Sequence, residues 1–86
     1  MSKKKEYDLM EKVARELESL QNTQQAVLET LARIEVDNIE LDNKLLGEKV
    51  PDIFQHTAES LDDIQALLTA FEEKIEKFAE KNNISS

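Results

Sequence analysis

The residue in this chain with the widest chemical repertoire is His56, the only histidine. Asp52 precedes it by about one helical turn and Glu59 follows it by about one, so the three side chains would share a helical face. This trio could hold a divalent cation weakly, but a stable metal site needs ligands that converge from a second element. An exposed helical histidine is the favoured interpretation, and we expect no bound metal and no other cofactor.

Carboxylates are abundant, but their spacing matches no reactive or metal-binding motif. No glutamate is followed three residues later by histidine, as in di-metal helical bundles, and no calcium-loop spacing occurs. One glycine and no cysteine leave neither a phosphate-binding loop nor a thiolate site. A general acid–base pair also needs a pocket that shifts its pKa. We therefore expect no enzymatic activity and no small-molecule substrate, and we interpret the acidic residues as solvated helix faces.

The elements that would position these groups are marked by two series of residues with heptad spacing. From Met10 to Leu45, an apolar or amide residue recurs at every third and then fourth position, which predicts a long helix that buries one narrow stripe. A second series runs from Phe54 to Phe78. The first series is Met10, Val13, Leu17, Leu20, Gln24, Val27, Leu31, Ile34, Asn38, Leu41 and Leu45; the second is Phe54, Thr57, Leu61, Ile64, Leu68, Phe71, Ile75 and Phe78.

The two series predict helices over about residues 6–46 and 51–81, joined by a tight turn. Gly47 suits the left-handed residue that ends a helix, and Pro51 suits the first turn of the next one. A short turn between two long helices predicts an all-α fold, an antiparallel helical hairpin. Residues 1–5 and 83–86 are expected to be disordered tails, and residues 6–82 a single helical-hairpin domain.

Three polar residues interrupt the apolar stripes. Pairing the stripes across the predicted turn places Asn38 opposite Thr57 and Gln24 opposite Phe71. Polar residues in a core stripe cost stability but can fix the register or the number of helices. Gln24, Asn38 and Thr57 are therefore predicted to set the register.

Further apolar residues beside the stripes indicate that the hairpin does not act alone. A chain of 86 residues without cysteine builds only a small core, and an unburied flank would be an unusually large exposed patch. We expect oligomerisation into a four-helix bundle or coiled coil, as a dimer or tetramer, or pairing with another helical protein. The predicted register places Leu28 opposite Leu67 on this flank. The candidate protein-interaction residues are Leu28, Ala32, Ile39, Leu46, Ile53, Leu67 and Ala70.

The charge of the chain narrows the kinds of partner. Its formal net charge of -8 disfavours nucleic acid and anionic membranes, because both are polyanions. No apolar run has the length of a membrane span or the pattern of a signal peptide. The absence of cysteine fits a reducing compartment, and we expect a cytoplasmic protein.

These observations favour a non-enzymatic coiled-coil interaction module, acting as a small structural or adaptor subunit. One alternative is a small acidic secretion-system helper, either chaperone-like or type VII-like. Leu45-Leu46-Gly47 resembles the W-x-G turn of the small type VII secreted hairpin proteins, with leucine in place of tryptophan. That family's C-terminal signal, an aromatic residue followed four residues later by an acid, is met by neither Phe71 nor Phe78.

A further alternative is an acidic inhibitor or nucleic-acid mimic that covers a basic site. It requires carboxylates gathered on one face. The sequence distributes them along both predicted helices, which disfavours this function.

Overall fold

The computed structural model describes residues 1–84, and they form two long helices packed as a hairpin. Helix α1 spans Lys3–Leu41 and helix α2 spans Lys44–Lys81. The hairpin measures 60 × 18 × 14 Å, so each helix has one side against its neighbour and the rest open. This confirms the all-α hairpin.

The turn lies at Asp42 and Asn43, several residues before the predicted connection. Asp42 adopts a left-handed conformation (φ 52°, ψ 43°), and its N–H donates to the carbonyl oxygen of Asn38. The Asn43 side chain then caps α2 by accepting a hydrogen bond from the Leu46 N–H at 3.0 Å. Asn38 closes the turn from the other side, because its Oδ1 accepts from the Asn43 N–H at 2.8 Å and its Nδ2 donates to the Asn43 carbonyl at 3.1 Å.

The predicted turn residues Gly47 and Pro51 lie inside α2 instead of beside the turn. The Gly47 N–H donates to the Asn43 carbonyl oxygen at 3.0 Å, as in an ordinary helical turn. Pro51 has no N–H to donate and therefore leaves a gap in the helical hydrogen bonds. The side-chain hydrogen bonds of Asn38 and Asn43 therefore determine where the chain turns, although glycine and proline are the stronger turn signals in the sequence. Leu45-Leu46-Gly47, the segment that resembles a W-x-G turn, is helical as well.

The shifted turn changes the register of the hairpin. Asn38 lies beside Gly47, with its Nδ2 3.6 Å from the position that a Gly47 Cβ would take. It therefore stands several residues away from Thr57, its predicted partner, and bonds to the turn instead. The predicted polar layer of Asn38 and Thr57 is replaced by a cap at the end of the hairpin.

The core uses the predicted stripe of α2 and a rotated stripe of α1. All eight members of the α2 series are buried or half-buried. In α1, Met10, Leu17 and Leu31 are covered as predicted, whereas Val13, Leu20, Val27 and Leu41 of the same series are exposed. The core cluster is Tyr7, Ala14, Leu68 and Ile75, with Met10, Leu17, Phe71, Phe78, Ala79 and Ile84 packed against it.

Helical or packed residues extend into both segments that were predicted to be tails, within residues 1–84. Helix α1 begins at Lys3, inside the segment expected to be disordered, because the Ser2 hydroxyl accepts from the Lys5 N–H at 3.1 Å. Asp8 accepts a hydrogen bond from Lys4 at 2.8 Å and raises the pKa of that lysine above its ordinary value. At the other end Ile84 packs on the core cluster. Ser85 and Ser86, the rest of the predicted tail, lie outside the described residues.

Candidate functional site: two surfaces of the hairpin

The hairpin has two long sides that differ in chemistry, and helical geometry assigns residues to them. One side is marked by a cleft lined from both helices, by Glu11 and Glu18 of α1 and by Glu72 and Glu76 of α2. Successive residues lie about 100° apart around a helix. Leu20 is therefore roughly 200° around α1 from Glu18, and nine residues separate Leu67 from Glu76, which is about half a turn in projection.

The side opposite the cleft carries a row of exposed large apolar residues, which we call the apolar face. In α1, Val13, Leu20, Val27 and Leu41 recur at multiples of seven residues and therefore share one side of the helix. Their exposed fractions run from 36% for Val13 to 65% for Leu41. The apolar face comprises Leu9, Val13, Leu20, Val27 and Leu41 of α1 with Ile53 and Leu67 of α2.

Single exposed leucines are ordinary on protein surfaces, but a continuous row on so thin a molecule is not. Leu67 is 54% exposed and Ile53 is 49% exposed, and no side chain of the hairpin's own covers either of them fully. Rows of this kind along a helix are the anchors by which helices dock on one another. The apolar face is therefore the surface best suited to bind a helical partner.

Charges of both signs border the apolar face on its α1 edge. Ile34 is half-buried but has the same heptad position as Val13. Lys12 and Arg33 precede Val13 and Ile34 by one position, and Glu16 and Asp37 follow these two residues by three. All four charged residues are exposed. A border of mixed sign can pair with a complementary border and can reject a mismatched one.

The opposite side holds the cleft, which has a volume of about 690 Å³ and an acidic rim. Among the described residues that line it, Arg15 is the one basic side chain. The hydroxyl of Tyr7 donates to the Glu11 carboxylate at 2.6 Å. The floor is formed by Tyr7, Ala14, Ile75, Ala79 and Ile84, and the rim carries Glu11, Glu18, Glu72, Glu76 and Glu80.

This cleft gathers five of the nineteen carboxylates, although they were predicted to be spread along both helices. They do occur on both helices, but the hairpin brings the two acidic helix sides together. The lining shows this directly, because it takes glutamates from α1 and from α2. Much of the net negative charge therefore lies away from the apolar face.

The seven predicted interaction residues do not form one flank in the observed register. Ile53 and Leu67 lie on the apolar face, and Ala70 is exposed near its α2 edge. Leu28 and Leu46 are half-buried. Leu46 precedes Ile53 by seven residues and therefore lies on the same side of α2 as Ile53 and Leu67. Ala32 and Ile39 are exposed. Each follows by one position a residue covered by α2, Leu31 or Asn38, and therefore lies toward the acidic side.

Val13, Leu20, Val27 and Leu41 were not predicted as interaction residues because they were assigned to the core, and Leu9 was assigned to neither surface. A sequence signal for the true core stripe does exist. Tyr7, Ala14 and Leu28 join Met10 and Leu17 in a series that also advances by three and four residues. Two stripes with the same period run side by side in α1, and periodicity alone does not rank them.

The remaining predicted site residues do not form a metal-binding or catalytic group. Gln24, Asn38 and Thr57 are half-buried, as expected for polar residues in the interface between helices. His56 is exposed, and no cluster of three His, Cys, Asp or Glu side chains within residues 1–84 has the geometry to hold a metal ion. Over the same residues, neither helix combines the length and the apolar character needed to cross a membrane.

In comparisons with known proteins, no family model, curated protein or solved structure matches the chain.

Proposed function

We propose that this chain is a non-enzymatic helical interaction module, a small cytoplasmic structural or adaptor subunit that packs its apolar face on a second copy of itself or on another helical protein. The observation that carries the proposal is the continuous row from Leu9 to Leu41 in α1, reinforced by Ile53 and Leu67 in α2. Complete burial of one such side chain contributes about 1.5–3 kcal/mol. Even partial burial of several of them supports a stable complex.

The shape of the hairpin fits this function. Two helices side by side leave a shallow groove on each face, and a further helix or hairpin laid along the apolar groove gives a three- or four-helix bundle. The acidic cleft then remains on the outside of the assembly. Its negative charge keeps nucleic acid and anionic membranes away from that surface, because like charges repel.

Site-specific photo-crosslinking tests the proposal in the cells that express the chain. A photoreactive amino acid in place of Leu20 should give discrete covalent adducts with another protein or with a second copy. The matched control is Val36, an exposed valine of α1 outside the apolar face, 63% accessible to solvent. Adducts at position 36 equal to those at position 20, or none at either position, would contradict the proposal.

A second candidate function, an acidic inhibitor or a secretion chaperone that covers a basic partner helix, is favoured by the acidic cleft. Its glutamates surround an apolar floor, which matches an amphipathic helix with lysine or arginine beside its apolar stripe. Binding to such a helix would weaken with salt, because the rim charges are open to solvent.

A synthetic amphipathic peptide rich in leucine and lysine serves as the probe for this second function. The double variant Glu72→Gln with Glu76→Gln should weaken its binding about tenfold. The control variant Glu40→Gln with Asp63→Asn removes the same charge elsewhere and should have a small effect. If both variants weaken binding equally, net charge alone attracts the peptide and the cleft has no specific part.

A further inference from the structure

We infer that the occupant of the apolar face is a second copy of this chain, packed with the two α1 helices antiparallel about a two-fold axis near Thr23 and Gln24. The inference rests on the proposed function and adds the identity of the partner and its arrangement. A two-fold axis at this point makes every contact occur twice, so the face must be complementary to itself. Both the apolar residues and the charges of α1 meet that requirement.

The apolar row of α1 is arranged evenly about the proposed axis. Val13 and Ile34 lie at nearly equal distances on either side of it, and so do Leu20 and Val27. Antiparallel packing therefore brings Val13 against Ile34 of the second copy and Leu20 against Val27 of the second copy. Leu20 is 44% exposed and Val27 is 37% exposed in the single hairpin, so each gains cover from this contact.

The charges on the outer edge of α1 pair with opposite signs in the same arrangement. Lys12 comes level with Asp37 of the second copy, and Glu16 comes level with Arg33 of the second copy. The two-fold axis repeats each pair, which gives four attractive contacts along the edge. All four residues are exposed in the single hairpin, so none must give up a buried partner to form them.

The other symmetric arrangement places both turns at the same end, with α1 against α2 of the second copy. In that arrangement Lys12 comes level with Lys74 and Lys77 of the second copy, and Lys5 with Lys81. Like charges set against one another cost affinity. The antiparallel arrangement also brings like charges together, with Lys49 near Lys74 and Lys77 of the second copy along the α2 edge, so the preference for it rests on the four attractive pairs of the α1 edge.

A charge-swap experiment tests the proposed pairing. Arg33→Glu replaces the attraction to Glu16 with repulsion in both symmetric pairs and should weaken dimerisation about tenfold, as measured by light scattering across a concentration series. Glu16→Arg alone should weaken it similarly. The double variant restores opposite charges in both pairs and should return the dissociation constant to within about threefold of the parent. A double variant as weak as the two single changes combined would overturn the pairing.

Cysteine cross-linking tests the axis itself, and it is clean because the chain has no cysteine. Thr23→Cys lies next to the proposed axis and should form a disulfide-linked dimer rapidly under mild oxidation. Its neighbour Asn22 points away from the apolar face, and Asn22→Cys should cross-link slowly. Circular dichroism checks that both variants keep the helix content of the parent.

The outcomes separate this inference from the proposed function. A helical chain that stays monomeric at high concentration overturns the second-copy inference, whereas adducts at position 20 in cells would still support binding to another protein. If the dissociation constant of the dimer is unchanged by the charge-swap variants and position 23 does not cross-link, the proposed arrangement is overturned, but the second-copy inference stands. A dimer that responds to both supports the inference.

Discussion

The open end and the turn end of the hairpin are held together by different physics. At the open end, Tyr7 and Ile75 are 5% and 7% exposed and belong to one cluster that draws residues from both helices. At the turn end, Leu41 and Leu45 are 65% and 63% exposed, and the chain reverses through side-chain hydrogen bonds of asparagine. The open end is held by contacts between residues distant in sequence. At the turn end Val50, which is 6% exposed, supplies apolar packing, but hydrogen bonds between near neighbours fix the place where the chain reverses.

This difference indicates which property each end controls. Apolar burial at the open end supplies stability, because each covered side chain adds transfer and packing energy. The hydrogen bonds at the turn are exposed to water and add less energy, but they decide where the chain reverses. Their position in turn decides which stripe of α1 faces α2, and so which residues remain for a partner.

The largest expected effect comes from the open end. Ile75→Ala removes buried methyl and methylene groups from the core cluster and should lower the free energy of unfolding by about 2–4 kcal/mol. Leu45→Ala, a truncation at an exposed position of the turn end, should cost less than about 0.5 kcal/mol, because Leu45 is mostly exposed. Urea unfolding at one fixed protein concentration measures both. Similar losses for the two variants would show that the ends do not differ as described.

A smaller effect is expected from Asn38 at the turn. Asn38→Ala removes the two hydrogen bonds that join the end of α1 to Asn43 and should cost about 1 kcal/mol of unfolding free energy. Asn22→Ala is the control, because it gains the same helix propensity at an exposed position of α1 without losing a turn contact. Hydrogen exchange at the Asn43 amide should accelerate in the Asn38 variant and stay unchanged in the control. Equal stability of the two variants would contradict a structural part for the Asn38 side chain.

The sequence predicts the α2 half of this fold well, for a reason that its residues show. One apolar series runs through α2 from Phe54 to Phe78, and every member is covered. The residues beside it offer no continuous competing stripe. Periodicity therefore identifies both the helix and its buried side.

In α1 the same reasoning identifies the helix but not its buried side. Val13 and Leu20 belong to one stripe of period three and four, and Tyr7 and Ala14 belong to another. Packing chooses the second, because it buries the Tyr7 ring and sets the small Ala14 in the core cluster with the large residues of α2. This choice depends on how the side-chain volumes of both helices fit together, and the sequence of one helix alone does not give that information.

The candidate site inherits this ambiguity. Ile53 and Leu67 are predicted as exposed interaction residues, and they lie on the apolar face. Leu28 and Leu46 are predicted there too, but both are half-buried in the observed register. The position of the turn itself rests on side chains that bond to backbone five residues away, whereas glycine and proline give the stronger local signal.

The smallest expected effect distinguishes the two turn positions by its sign. In the observed fold Gly47 lies inside α2, and a Cβ there would meet Asn38 Nδ2 at 3.6 Å, an ordinary contact. Gly47→Ala should therefore raise the free energy of unfolding by about 0.5–1 kcal/mol, because alanine loses less backbone entropy in a helix. If Gly47 were instead the left-handed residue of a turn, the same change would destabilise the hairpin, because a Cβ disfavours that conformation.

Asp42→Gly completes this test at the other candidate position. Asp42 has a φ of 52°, so glycine removes the strain of a left-handed side chain and should leave stability equal or slightly higher. Were α1 to continue through residue 42, glycine would lie in a helix interior and cost about 1 kcal/mol. For a turn at Asp42, thermal unfolding should show a gain for Gly47→Ala and no loss for Asp42→Gly; for a turn at Gly47, it should show a loss for both variants. Since the turn sets the register, two losses would also return Leu20 and Val27 to the core and remove the apolar face.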